Sequence, residues 1–183
     1  MDYTLHLEAG ADAFGNGEHP STQLVVGAMQ QLASEGLQFT NILDMGCGSG
    51  VLALIAARLW PQAAILAVDI EPKAVAATAE NARANGIKGH IRTIRSDGYR
   101  HSMITENAPY DLVLANMTAG PLISMAADLG RVLAPTGVAL LSGILAWRLD
   151  ELIQTHLHCG LALEADPVEM EGGWCAVALG KAE

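Results

Sequence analysis

Apolar residues in this chain fall into short runs separated by longer stretches with a helical repeat. Runs rich in isoleucine, valine and leucine occupy residues 41–44, 64–69, 90–95, 111–116 and 138–142, each of a length that suits a buried strand. The segments between them place apolar residues three and four apart, as a helix with one buried face does. Helix punctuation agrees with that pattern. Ser21 or Thr22 opens a helix over residues 23–34 that stops at Gly36, and Pro72 begins a run to Asn85 closed by Gly86. Pro121 opens another that ends near Pro135-Thr136-Gly137, and a last helix covers residues 145–157. Strands that alternate with helices predict a parallel, doubly wound sheet. The pattern then changes, because residues 161–169 and 174–179 are strand-like runs separated only by Glu171-Gly172-Gly173, a hairpin-like connection. The expectation is an α/β fold whose mostly parallel seven-stranded sheet ends in an antiparallel hairpin.

The 183 residues are enough for one domain with a substantial core and too few for two, so residues 1–183 are read as a single domain. With 51% hydrophobic and only 16% charged residues, the composition is that of a folded α/β protein and not of a disordered chain. No apolar run is long enough to span a bilayer, and MDYTLHLEAG lacks the basic-then-apolar order of a secretory signal. A cytoplasmic protein without membrane association is expected. The formal charge of −10 repels phosphate backbones, which argues against a nucleic-acid binder and suits a basic protein partner, or simply keeps the chain soluble. Cys47, Cys159 and Cys175 lack disulfide or zinc spacing, and His156 and His158 point to different faces of a helix. No metal site is expected.

Candidate chemistry appears at the first strand-to-helix crossing, ILDMGCGSGVLALIAARLW. Gly46, Gly48 and Gly50 form a tight turn directly after a strand, where backbone N–H groups and a helix N-terminus approach a ligand with no β-carbon in the way. Close helix-to-strand packing is the other use of such a turn. In ILAVDI, Asp69 ends the second strand 23 residues after Gly46, where a carboxylate accepts hydrogen bonds from both hydroxyls of a ribose. A dinucleotide fingerprint needs its third glycine at position 51, which is Val51, so a pyrophosphate site is disfavoured.

The spacing G-x-G-x-G, with Asp44 two residues before it, resembles the first motif of the class I S-adenosylmethionine-dependent methyltransferases. Further stretches narrow the resemblance. AFGNGEHPST at residues 13–22, DLVLANMTAGPL at 111–122, LLSGIL at 140–145 and the tryptophan of GGWCAVALGK are similar to the PrmA family, the methyltransferases of ribosomal protein L11. That resemblance covers nearly the whole chain and implies a Rossmann-like fold with S-adenosylmethionine as cofactor. By it, Asp44 helps hold the methionine ammonium, Gly46, Gly48 and Gly50 pass under the methionine and ribose, and Asp69 holds the ribose. Residues 10–22 are then a lid over the cofactor, with Phe14 closing on it and Thr22 contacting it. A helix-capping hydroxyl is the other reading of Thr22. In SDGYR, Asp97 contacts the adenine amine by the resemblance, though Asp-Gly is also a common turn. Asn116, at the end of the fourth strand, both contacts the cofactor and faces the transferring methyl. His19 is assigned no chemistry, and Cys47 is read as a small filler.

The chain also departs from the family. Asn16 and Met117-Thr118 replace the usual threonine and Ile-Leu, and only about a dozen residues precede the lid where the family carries an N-terminal recognition domain. Met117-Thr118 also removes the Asn-Pro-Pro-Tyr motif of the glutamine and adenine amino-methyltransferases. The implied activity is in-line transfer of a methyl group to an amine of a protein, such as a basic ribosomal protein, without a metal. A small-molecule acceptor and a non-catalytic cofactor-binding module are the alternatives.

Overall fold

The computed structural model describes residues 7, 17–87, 89–170 and 172–182. The chain alternates as the hydrophobic pattern requires. Helix α1 (Pro20–Ser34) leads into β1 (Asn41–Met45), α2 (Val51–Leu59), β2 (Ala64–Asp69), α3 (Pro72–Ala84) and β3 (Ile91–Arg95). A short helical turn at Gly98–Arg100 and α4 (Ser102–Glu106) precede β4 (Tyr110–Asn116). The chain continues through α5 (Ala119–Ser124), α6 (Ala126–Val132), β5 (Leu133–Leu145) and α7 (Ala146–His158) to β6 (Leu161–Leu163), β7 (Val168–Met170) and β8 (Trp174–Lys181).

The strand order is β3-β2-β1-β4-β5-β8-β6, with β7 also paired to β8. Strands β1 to β5 run parallel, and β8 lies antiparallel against β5. Alternate residues of each central strand enter different cores, because side chains of a strand point to opposite faces. On one face Leu43, Met45, Leu66, Val68, Val113 and Ala115 pack with residues of α5, α6 and α7. On the other, Ile42, Ile65, Ala67, Leu112 and Leu114 pack with Val25 and Met29 of α1 and the apolar side of α2. Burial on both faces is why these runs are apolar throughout. The chain leaves β1 toward β2 and returns on the other side as β4, so the carboxyl ends of β1 and β4 lie side by side with Met45 opposite Ala115. Ligands bind at such a reversal, where the loops from the two strands diverge.

Four boundaries differ from the sequence pattern. Helix α1 begins at Pro20 and not after Ser21 or Thr22, because His19 is the cap: its Nδ1 accepts from the Ser21 N–H at 3.3 Å. The helix expected from Pro121 is two helices, α5 and α6, broken at Met125. Strand β5 starts at Leu133, five residues before the expected 138, with the extra residues held in an irregularity between the pairs Tyr110–Leu133 and Leu112–Val138. The expected strand 161–169 is two pieces on the same edge of β8, separated at Pro167, which has no N–H for the ladder. Among the described residues the sheet therefore has eight strands, and β7 pairs with β8 antiparallel as expected.

Candidate active site

The turn after β1 is pinned to the end of β2: the N–H groups of Gly46 and Cys47 donate to the Val68 carbonyl at 2.8 and 3.0 Å. Gly46, Gly48 and Gly50 have φ of 75°, 56° and 84°, a region that side chains disfavour. Their surroundings separate the two uses of the turn. A β-carbon at Gly46 would stand 2.6 Å from the Met117 sulfur, and one at Gly50 would stand 2.7 Å from Cγ2 of Thr78, so these two glycines permit close packing. At Gly48 a β-carbon would meet nothing within 4 Å. Among the described residues nothing covers the Cα of Gly48, while its N–H is held by Asp69 and its carbonyl accepts from the Thr78 hydroxyl at 3.0 Å, beside the start of α2, where Gly50 caps the helix without a side chain. Partial positive charge gathers at such an end.

Asp44 lies beneath this turn and is 1% exposed. Its Oδ2 accepts from the Ala53 N–H at 3.1 Å, while its Oδ1 is buried with no hydrogen-bond partner among the described residues. Burial pushes the carboxyl up to about 7; the Ala53 N–H opposes this, and the nearby charge of Asp69 adds to it. A buried oxygen without a donor is costly, and the crevice therefore suits a ligand that brings a cationic donor to it.

Asp69 closes the turn from the side of β2. Its Oδ2 accepts from the Gly48 N–H and its Oδ1 from the Glu71 N–H, both at 3.0 Å. Each oxygen has a second lone pair, so the carboxylate fixes the turn and still has capacity for hydroxyl donors. The next residue, Ile70, is 50% exposed, an apolar surface at the rim that the sequence pattern above does not single out. A signal for it exists in the sequence, since an isoleucine directly after the strand-end carboxylate has no core to enter. Asp97 lies after β3 and is exposed, paired with Arg100 at 2.5 Å.

Asn116 ends β4, and the structure brings it to a residue 94 positions earlier: its Nδ2 donates to Oγ1 of fully buried Thr22 at 3.0 Å. Thr22 is therefore no cap, and its hydroxyl holds the amide while Asn116 Oδ1 has no partner among the described residues. The backbone after Asn116 is equally fixed. Met117 N–H donates to the Ser142 carbonyl at 3.0 Å, and Ser142 Oγ donates to the Cys175 carbonyl at 2.9 Å. Gly143 follows with φ 83°, and a β-carbon there would lie 2.5 Å from the Met117 carbonyl oxygen. The SGIL stretch thus lets β5 pass directly beneath the end of β4. His19, given no chemistry by the sequence, packs its ring edge-on to Trp174 with centroids 4.8 Å apart, joining the start of α1 to β8.

Phe14 and residues 10–16 of the expected lid lie outside the described residues. Cys47 is buried, its sulfur accepting from the Thr78 hydroxyl at 3.2 Å, and burial raises its thiol, which suits a filler and not a nucleophile. His156 is buried and His158 exposed on α7. Among the described residues no group of three or more histidine, cysteine or acidic side chains is placed to hold a metal, and no helix is long and apolar enough to cross a membrane.

A doubly wound sheet in this order, with a glycine turn after β1, a carboxylate ending β2 and a final antiparallel strand, is the Rossmann-like fold of class I methyltransferases. Solved structures share it. A ribosomal protein L11 methylase from Lactobacillus delbrueckii subsp. bulgaricus matches with a TM-score of 0.80 at 26% identity, over 91% of this chain and 81% of that one. N-methyltransferase NodS from Bradyrhizobium japonicum, solved with S-adenosyl-L-homocysteine, matches in fold with a TM-score of 0.71 at 15% identity, over 95% and 93%. The chain belongs to the ribosomal protein L11 methyltransferase (PrmA) family, whose sequence profile matches residues 2–182. A relative of that name from Brucella suis is 40% identical over 181 residues, which is 97% of this chain and 61% of the relative. One from Rhizobium etli is 38% identical over 176 residues, 96% of this chain and 59% of the relative. The chain spans about three fifths of the length of these curated relatives.

Proposed function

We propose that this chain transfers methyl groups from S-adenosylmethionine to amines of a protein in the cytoplasm, with ribosomal protein L11 as the acceptor. The family and the names of its relatives support the acceptor. The observation that carries the reading is Asp44, whose buried Oδ1 has no partner among the described residues and suits the cofactor's ammonium group, beneath a glycine turn whose Gly48 Cα no described atom covers. With the cofactor bound, Asp69 would hold the ribose hydroxyls, exposed Ile70 would offer apolar surface to the adenine, and Asp97 would accept from the adenine amine. Thr22 lies on the lid side of the same crevice, and Phe14 is the residue that would close over the cofactor. Bound there, the cofactor supplies an electrophilic methyl group on a sulfonium.

The remaining chemistry belongs to the chain. An attacking amine must be neutral, and Asn116 Oδ1 accepts a hydrogen bond from its N–H, holding the lone pair toward the crevice. Thr22 keeps the amide in the orientation that presents oxygen and not nitrogen. Alignment of this kind supplies on the order of 7 kcal/mol or more of a transfer barrier. The proton leaves to solvent, because no described side chain beside Asn116 is placed as a base. Calorimetry and labelling test the reading together. The chain should bind S-adenosylhomocysteine and move label from S-adenosylmethionine to purified ribosomal protein L11; binding of NAD instead would overturn it.

A further inference from the structure

A carboxylate removed from water needs either a counter-charge or a proton. Among the described residues Asp44 has no counter-charge: none of their ion pairs includes it, and its one donor among them is the Ala53 N–H. The described elements packed around it supply none either. In register, β2 places Ala67 and β4 places Leu114 beside it. Asp69 at the end of β2 adds negative charge, and Cys47 in the turn is a neutral thiol. Helix α1 carries no titratable residue, and the only one on α2, Arg58, lies in its last turn.

We propose that Asp44 is the proton-release site of cofactor binding: it is a carboxylic acid in the ligand-free crevice and loses its proton to solvent when a ligand's ammonium group becomes the partner of Oδ1. This rests on the cofactor reading given above and adds a linkage to it. The balance is simple. The O–H bond of the Asp44 carboxyl breaks, its electron pair stays on the carboxylate, the proton goes to buffer, and the ammonium keeps all of its protons. Burial, which holds the group protonated up to about pH 7 in the free protein, supports the first half of that exchange. That Oδ1 has no donor among the described residues supports the second. Affinity for a ligand with an ammonium tail then rises about tenfold per pH unit as pH climbs toward neutrality and levels off above it. A nucleoside without the tail gains nothing from the same change.

Titration calorimetry of the full chain in two buffers of different ionisation heat tests this, with S-adenosylhomocysteine and 5′-methylthioadenosine as probes. At pH 6, S-adenosylhomocysteine should release close to one proton per site and 5′-methylthioadenosine close to none; at pH 8 neither should release an appreciable fraction. Asp44→Asn should bind S-adenosylhomocysteine more weakly, with no release and an affinity that is flat with pH. Binding of S-adenosylhomocysteine to wild type at pH 6 without proton release would overturn the proposal, as would release that persists in Asp44→Asn or is equal for the two probes. If wild type bound neither probe at either pH, the cofactor reading itself would fall, and the proposal with it. The two wild-type titrations decide the matter whether or not the variant folds.

Discussion

Replacing Asp44 by asparagine should stabilise the ligand-free protein, and by an amount that depends on pH. The carboxyl's ordinary value of 3.8 is raised to about 7 in the fold, so between these values the native state holds a proton that the unfolded chain has lost. Stability contributed by this group is therefore full below about pH 4, falls as pH rises, and reaches its minimum above about pH 7. The distance between the two values is equivalent to about 4 kcal/mol lost across that range. Asparagine escapes that penalty but buries amide N–H groups that find no acceptor among the described residues, which returns about 1 kcal/mol. The net expectation is a variant more stable than wild type by about 3 kcal/mol at pH 8 and level with it or slightly weaker at pH 4. For a domain of this size that is roughly 6–12 °C in melting temperature. Chemical unfolding without ligand at pH 4, 6 and 8 measures it. A difference between variant and wild type that does not change with pH would refute the reasoning, since it would mean that Asp44 is ionised in the native state throughout.

Asn116→Ala should lower single-turnover methyl transfer about ten- to a thousandfold with a much smaller loss of cofactor affinity, as for a polar group that acts mainly in the transition state. Equal turnover would remove Asn116 from the chemistry. Thr22→Val keeps shape and removes the hydroxyl that holds the amide, so transfer should fall about three- to tenfold. The double variant should be no slower than Asn116→Ala alone, and additive losses would show that the two act separately. Gly143→Ala forces a β-carbon onto the Met117 carbonyl at a positive φ and should cost at least about 2 kcal/mol in urea unfolding. Gly27→Ala, in open space on α1, should be neutral or stabilising by about 0.5–1 kcal/mol.

How much of the fold and site is legible in the sequence follows the range of the interactions. The strand ending at Asp69 and the positive-φ turn at Gly46, Gly48 and Gly50 are written in local patterns, apolar runs and glycine spacing, and both stand where the sequence places them. The cap on α1 is not, because Ser21 and Thr22 are the usual capping types, whereas an imidazole nitrogen at His19 takes that role. The start of β5 is hidden by Pro135 and Gly137, which read as a turn, and α4 by its shortness. Contacts between distant residues are not legible at all. Thr22 and Asn116 meet only because the strand order brings α1 over the end of β4, and Gly143 is required only because Met117 crosses it. That Asp44 Oδ1 meets no partner among the described residues is a property of the assembled core, which no local window of sequence contains.

The measurement that bears most directly on the central claim is the intact mass of purified ribosomal protein L11 after incubation with this chain and S-adenosylmethionine, followed by mapping of the modified amines. Mass should rise in whole methyl increments on lysine or N-terminal amines, with the gain abolished by excess S-adenosylhomocysteine and strongly slowed by Asn116→Ala. An acceptor of unchanged mass, with a chain that binds the cofactor, would contradict it.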